Sequence, residues 1–528
     1  MQDVAGHKPD TGQVTAEPEG DELTVPVPPR FWWLKRILVA IGLLLVLMAG
    51  LRWWWGHVAH SRLQAEIDRI RAAGEPIFPE DFDSAPVPDA ENAALVLVNA
   101  ANAFVAPPEA GEDVSILAGH SRFTATQLAD ARAYVDANTN ALRLLRQARG
   151  MEKLDLGVRM RTPVFNFMLP PLSGHRQSAK LLTVVAKYHH QSGNDAEAIA
   201  AIRDALALGD VVDHRPSLIA HLVAISIRAL AARAVESVAP DLAVCGADES
   251  MGPGPEPARY PDVEALIADL LDEEDFRQGF TRALQCERMY QLDTVRVITS
   301  GQMSLAALYG GGGPAPLVQR VLNLFVGPLF VLDGVQMMHH ATVAVEAARA
   351  QDWPTHCRKQ PPDPGNSAGV VDLLTRPLST FLIPSFERAA MLHYRTLADR
   401  RMAAIALAIR LYELDHGRRP VQLTDLVPEY LDVLPVDPFA DDGRTFGYRP
   451  DTVPPVLYSI GPNGVDEEGR FAFRRGGRIN VEVFDTPFFL DGHRPQSPND
   501  LGPGPPASEQ AADDHDEAED DERNAEQD

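Results

Sequence analysis

From Ile37 to Leu51 the chain runs 15 residues without a charge, and tryptophans bracket this stretch at Trp32–Trp33 and Trp53–Trp54–Trp55. With its aromatic flanks the stretch reaches the roughly 20 residues needed to cross a bilayer. Rings at both ends suit the two membrane interfaces, and Arg52 is placed to snorkel toward headgroups. The pattern predicts a transmembrane signal anchor over 31–55. Beyond it the hydrophobic period is helical. Leu63, Ile67 and Ile70 fall 4 and 3 apart before Gly74, which predicts a short amphipathic helix. A second helix, capped by Asp89, carries Leu95, Val98 and Ala101. A third starts at Thr124, with Gln127 placed for a capping box, and runs to Gly150.

Between Leu182 and Asp210 the spacing of Leu182, Val185, Ala186, Ala198, Ile202 and Ala205 predicts two helices joined at Asn194–Asp195. The spacing resembles a tetratricopeptide helix pair, although the large leading aromatic and the closing proline of that repeat are missing. Another long helix follows from Pro216 to about Val238. The segment 61–245 therefore reads as a helical body. A Pro/Gly-rich linker over 246–262 separates it from a second helical segment, 263–350, carrying Leu266, Leu270, Leu271, Phe280, Leu284 and Met289. Within that segment Gly310–Gly313 lacks the Lys-Ser/Thr of a phosphate loop and reads as a loop. Leu317–Leu332 is apolar but interrupted by Gln319, Arg320, Asn323 and Pro328. It is too short and polar for a second span, which leaves a buried helix or one lying on a membrane surface. After a second linker, 351–368, a long helix presents Met402, Ile405, Ile409 and Tyr412 on one face and stops at Gly417, with two strand candidates beyond, Phe446–Arg449 and Val456–Ile460. The fold class expected is mainly α, with a small α+β module over 369–486.

Charge sharpens the ends of this picture. The formal net charge is −26, and 11 acidic residues against one Arg lie between Glu509 and Asp528. Residues 1–30 and 487–528 read as polar tails without a core. No basic cluster suited to phosphates is visible, which argues against a nucleic-acid partner. Arg30, Lys35 and Arg36 abut the apolar stretch on its upstream side. The asymmetry favours a cytoplasmic N-terminus and an exported body on the inner membrane, despite Arg52, Arg62, Arg69 and Arg71 on the far side. Bulky Trp where a signal peptidase needs small residues favours an uncleaved anchor. Cys245, Cys286 and Cys357 are far apart and odd in number, so they indicate neither a zinc site nor a disulfide framework. The adjacent pairs His189–His190 and His339–His340 diverge by about 100 degrees on a helix and do not share a metal easily. Neither HExxH nor GxSxG occurs.

One resemblance rests on three motifs in order: LAIRLYELDHGRRP, LPVDPF and VLYSIGPNGVDEEG. Together they resemble the C-terminal globular region of the major pseudopilins of type II secretion, over about Ile405 to Asn480, a seventh of the chain. In that family the last loop binds calcium, which implies Asn463, Asp466 and Glu467 as candidate ligands here. Asn463 stands where the family usually has Asp, and the acidic cluster after it is shortened. About 350 residues separate the anchor from the module, and no prepilin processing signature precedes Ile37, so the resemblance does not imply a filament subunit. The whole layout, with PVPDAENAALVL early in the body, resembles large membrane proteins of planctomycete-type bacteria, a resemblance that implies no activity. The expected function is a single-pass, membrane-anchored, extracytoplasmic scaffold or adaptor. It would touch the bilayer through Ile37–Leu51 and other proteins through its body, with a link to envelope or secretion assembly. The alternative is a membrane-tethered hydrolase whose site is assembled from distant helices.

Overall fold

A computed structural model describes residues 31–151, 153–164, 172–246, 256–303, 316–360, 376, 378–379, 386–473, 479–480, 483–495 and 497; over 316–324 only the backbone is described. The expected tail at 1–30, the expected tail at 487–528 apart from residues 487–495 and 497, and the glycine run at Gly310–Gly313 lie outside these residues. The chain divides into two units, Met1–His57 and Val58–Asp528. In the first, the apolar stretch is helical and every residue from Ile37 to Leu51 is exposed, as expected of a helix that has lipid for its surroundings. This helix, α1, runs from Trp32 to Ala72 without interruption, so the anticipated break before Leu63 does not occur. Nothing in the sequence from Arg52 to Ala72 stops a helix until Gly74 turns into the left-handed region at φ +74°.

The second unit is built from helices. α2 (Ala93–Asn102) is capped by Asn92, whose side chain accepts from Ala94 N; Asp89 only opens a short 3₁₀ turn upstream. The capping box at Thr124 and Gln127 forms as expected, but the helix is two: α4 (Ala125–Ala137) follows the short α3 (Val114–Leu117), and α5 (Thr139–Arg149) begins after Asn138. Asn138 is fully buried, and its amide is spent on Val105 and Tyr134, which ties the break to the loop after α2. Next come α6 (Ser173–Gln191) and α7 (Asp195–Asp213), a hairpin turned by Gly193 and capped by the Asn194 side chain on Glu197 N, and then α8 (Leu218–Val238). Ala198 and Ala205 are buried in the hairpin, as their spacing implied. α8 is long and apolar enough to cross a membrane but most of it is buried, which makes it a core helix.

A two-residue parallel pair, β1 (Val244–Cys245) and β2 (Ala258–Arg259), precedes α9 (Tyr260–Leu271), α10 (Glu274–Thr299) and α11 (Pro316–Ala348). α10 and α11 lie antiparallel: Arg288 donates to Thr342, and Val295 fills the space left by Gly334. The expected linker at 351–368 contains a further helix, α12 (Trp353–Lys359), whose first residue hydrogen-bonds back to Pro438 and, through its indole N–H, to Pro462.

α13 (Phe386–His416) is the axis of the C-terminal part, and Met402, Ile405, Ile409 and Tyr412 are buried against α8 and α9. After it, β3 (Gly447–Arg449), β4 (Val456–Ser459) and β5 (Thr486–Phe489) form an antiparallel sheet in the order β3-β4-β5. The two expected strands are present. β5 was not anticipated: it begins at the expected end of the module, 486, and its last three residues fall in the stretch from 487 that reads as a polar tail without a core. Gly447 pairs with Tyr458, and any Cβ there would sit 2.0 Å from the tyrosine ring, so only glycine fits. The sheet is fastened to the helical body by one charged pair. Arg494 grips Glu236 of α8 through Nε and Nη2 at 2.8 and 2.9 Å, and Glu236 also accepts from Phe489 N at 2.8 Å. Glu236 is almost fully buried, so its charge has no water to fall back on.

Arg494→Ala is therefore expected to lower stability by about 3 kcal/mol or more, the cost of stranding a buried carboxylate. Urea unfolding measures it, and adding Glu236→Gln should recover part of the loss; a loss under about 1 kcal/mol would contradict the role assigned to this pair.

Candidate functional site

Two places gather chemistry. One is a sealed chain of polar groups where α7, α8, α10 and α13 meet. Asp213, the last residue of α7, sits against the backbone of α10 at Gly279, where any Cβ would come 2.5 Å from its carboxylate. Arg228 Nη1 donates to Asp213 Oδ2 at 3.0 Å, and Arg228 Nη2 donates to Asp210 at 2.7 Å. Burial works to raise the Asp213 pKa, but His221 and Arg228 outweigh it and hold the carboxyl below its ordinary range. The ionised carboxylate is acceptor only, so His221 Nδ1 donates to Asp213 Oδ1, 2.6 Å away. His221 Nε2 lies 3.2 Å from His393 Nδ1, a contact that one ring or the other protonates. Phe276 and Phe280 stack on both imidazoles, with centroids 4.4 and 4.7 Å from His393 and 5.2 Å from His221. Burial pushes His393 well below the ordinary histidine range, helped by the charges of His221, Arg277, His356 and Arg228. His393 is therefore neutral at pH 7. Arg400, on the same face of α13, donates to the carbonyls of Asp269, Leu270 and Asp272 and so closes the C-terminus of α9.

This chain combines the Asp–His hydrogen bond of a general-base dyad with the burial of a structural core. His221 and His393 are 0% and 1% exposed, so a substrate reaches them only if helices separate. Neither residue stood out in the sequence, because His221 and His393 are 172 residues apart and each is a lone histidine on an apolar helix face. The histidines that did stand out serve elsewhere: His190 Nδ1 pairs with Asp195 at 2.6 Å, and His189 stacks edge-on with Tyr188.

The second place is the loop after β4. The motif residues Asp437 and Ser459 meet here. Asp437 accepts from Ser459 Oγ at 2.8 Å, Ile460 N at 2.9 Å and Phe439 N at 3.0 Å, which joins the Asp-Pro-aromatic turn to the Tyr-Ser-x-Gly strand. Of the three candidate ligands, Asn463 and Glu467 lie together, with the Asn463 amide donating to Glu467 Oε1 and to Val483 O, both at 2.8 Å. Asp466 is occupied otherwise, by the Tyr458 hydroxyl at 3.1 Å, Glu468 N at 3.0 Å and Arg444 at 3.3 Å. The sequence reading missed Asp485, which directly precedes β5. Asp485 is buried, and its Oδ2 accepts from Gly469 N at 2.7 Å. Burial and then the facing Glu467 carboxyl push it up to about 7. Asp485 Oδ1 and Glu467 Oε2 are both buried and have no hydrogen-bond partner among the described residues. With its pKa raised to about 7, Asp485 shares a proton with the facing Glu467, and the pair would suit a hard cation only with both carboxyls ionised. Among the described residues no three His, Cys, Asp or Glu side chains gather as a metal set, so carbonyls and water would have to complete the shell.

No family model, curated protein or solved structure matches the chain. The reading of both places therefore rests on their geometry.

His393 supplies a test of the sealed chain. Its folded pKa lies below the 6.5 of the unfolded chain, so below pH 6.5 the unfolded state binds the extra proton and stability falls as pH falls. Between pH 6.5 and 5 the loss from this residue should approach about 1.4 kcal/mol per pH unit, read as urea unfolding free energy. His393→Phe should flatten that slope, and an unchanged slope would count against a neutral His393.

Proposed function

We propose that the protein is a single-pass, membrane-anchored scaffold. Its helical body stands outside the cytoplasm, and its C-terminal module, pseudopilin-like in its motifs, is presented for protein contacts in envelope or secretion assembly. The observation that carries this reading is the way the module is held. Its inner side is bound to α8 through the buried Glu236–Arg494 pair, while the loop from Asn463 to Asp466 is exposed, with Val465 and the nearby Val483 among its open apolar side chains. A rigid mount with a free loop suits display. The α6–α8 series supports the scaffold reading as a stack of helices of tetratricopeptide-like spacing. The apolar helix near the N-terminus supports the anchor. A photo-crosslinking residue at Val465 in membranes should give a discrete adduct with an envelope protein, and absence of any adduct while Val453 behaves identically would count against display by this loop.

The same loop would hold calcium in this reading, with Glu467 and Asp485 supplying the carboxylates and Asn463 fixing Glu467. Bound calcium would neutralise two acidic groups that otherwise repel, and so lock the loop onto β5. At a calcium concentration a hundredfold above Kd, the ion is expected to stabilise the folded chain by about 2.7 kcal/mol. Thermal melting with calcium and with chelator measures this. Asp485→Asn should abolish the difference, and an identical melting midpoint in the unsubstituted protein removes the calcium reading.

The hydrolase reading keeps one observation in its favour, the Asp213–His221 hydrogen bond. The stacked Phe276 and Phe280 rings that seal this pair make it the second choice.

A further inference from the structure

Around the C-terminal half of α8 the body gathers charge from four parts of the chain. Arg233 and Glu236 lie three residues apart on α8, and Arg395 and Asp399 lie four apart on α13, so each pair shares a face of its helix. α8 and α13 pack against one another, and the charges of Asp399, Arg395 and Glu236 all act on Arg233. Arg494 comes in from beyond β5, spends Nε and Nη2 on Glu236, and donates its main-chain N–H to Ser121 Oγ at 3.3 Å. Lys187 comes from α6 and is 3% exposed; its Nζ donates to the carbonyls of Ala118 and His120 at 3.0 and 2.7 Å.

Part of this charge is settled. Glu236 is consumed by Arg494 and by Phe489 N. The side chains of Arg233, Arg395 and Asp399, by contrast, make no hydrogen bond and no ion pair among the described residues. Arg233 is exposed and the other two are half-buried, so all three reach water. Burial nonetheless lowers the Arg233 pKa, and Arg494 adds to the effect. A guanidinium that is open to water and yet hemmed in by protein lines a recess rather than a convex surface.

The recess is short of negative charge. Burial raises the Asp399 pKa even though Arg395, Arg494 and Arg233 all act to lower it, which weakens the one carboxylate left to answer Arg233 and Arg395. Lys187 is pushed down to about 7, by burial and then by Arg233, so the charge of Arg233 is felt as far as α6. Like charges gathered in a desolvated recess favour a counter-anion.

We propose that this recess is a phosphate-binding site, in which Arg233 and Arg395 take the phosphate oxygens and Arg494, fixed on Glu236, forms part of the wall. A phosphate group suits it better than a carboxylate. Its three acceptor oxygens serve two guanidinium forks, and its charge of about −1.5 to −2 at pH 7 answers more of the positive surplus. Asp399 in its protonated form donates to the same oxygens. None of these residues belongs to the loop after β4, so the inference stands apart from the display and calcium readings.

Isothermal titration calorimetry of the full chain in detergent, at pH 7 and fixed ionic strength, tests the site with three probes: inorganic phosphate, glycerol phosphate and acetate. Inorganic phosphate should bind, and acetate should bind at least about tenfold more weakly. Glycerol phosphate binding as tightly as phosphate would show that the recess takes the phosphoryl group of a larger molecule; phosphate binding alone would show that it closes round the free ion. Arg233→Gln and Arg395→Gln should each weaken phosphate by about tenfold, the worth of one charge-assisted hydrogen bond. Asp399→Asn removes the competing carboxylate and keeps a donor, so it should bind phosphate at least as tightly as the parent. A variant that merely loosened the fold would not, which keeps the test informative should an arginine variant fail to fold. Phosphate heats no larger than those of acetate, arginine variants that bind as the parent does, or a tighter grip lost in Asp399→Asn would each overturn the proposal.

Discussion

An ionised carboxylate that is 3% exposed holds the helical body together. Asp213 has no access to bulk water, so its charge is tolerable only because Arg228 and His221 meet it at hydrogen-bond distance, and those two side chains come from α8. It fits against α10 only because residue 279 is glycine. His221 in turn positions His393 of α13, and Phe276 and Phe280 of α10 stack on both rings. A single charge thereby fixes the consecutive α7 and α8 against α10 and α13, which come from distant parts of the chain. The apolar contacts around it supply most of the favourable free energy, but they are not directional, and polar pairs of this kind select one packing over its neighbours.

The same device recurs wherever the fold joins distant segments. Glu236 and Arg494 connect α8 to the end of the sheet, Glu75 collects Arg288 and Arg349 at the foot of α1, and Glu273 takes Arg401 of α13 through both nitrogens at 2.7 Å. Asp437 does the equivalent within the module, using backbone amides and a serine. The acidic composition is thus partly structural, since many of the carboxylates in the body are consumed as connectors. At the loop after β4 the pattern changes. There Glu467 and Asp485 face each other, and each keeps a buried oxygen with no hydrogen-bond partner among the described residues.

Much of the fold was legible from local signals. Helix periods, the capping box at Thr124 and Gln127, the hairpin cap at Asn194 and the stop at Gly417 are short-range features, and each appears as the residues imply. The continuous α1 was less legible, because the change from lipid-facing to core-facing residues at about Val58 looks like a boundary in hydropathy while the backbone never leaves the helix. β5 was missed because TPFF, which has a proline inside it, does not read as a strand. The candidate site was only half legible. Asn463 and Glu467 come together through a local loop, whereas Asp485 joins them by strand pairing across a gap with no sequence period. His221 and His393 left no trace at all, since a pair assembled from two helices has no spacing to detect.

In this arrangement the C-terminal module and the helical body form one rigid mount. Native-state hydrogen exchange of the full chain in detergent tests it directly. Amides of β4 and β5 should exchange by the same opening, at the same free energy and with the same denaturant dependence, as those of α8 and α13. If β4 and β5 exchange through a separate opening several kcal/mol below that of α8, the module is a loosely tethered domain and the rigid-mount account is wrong.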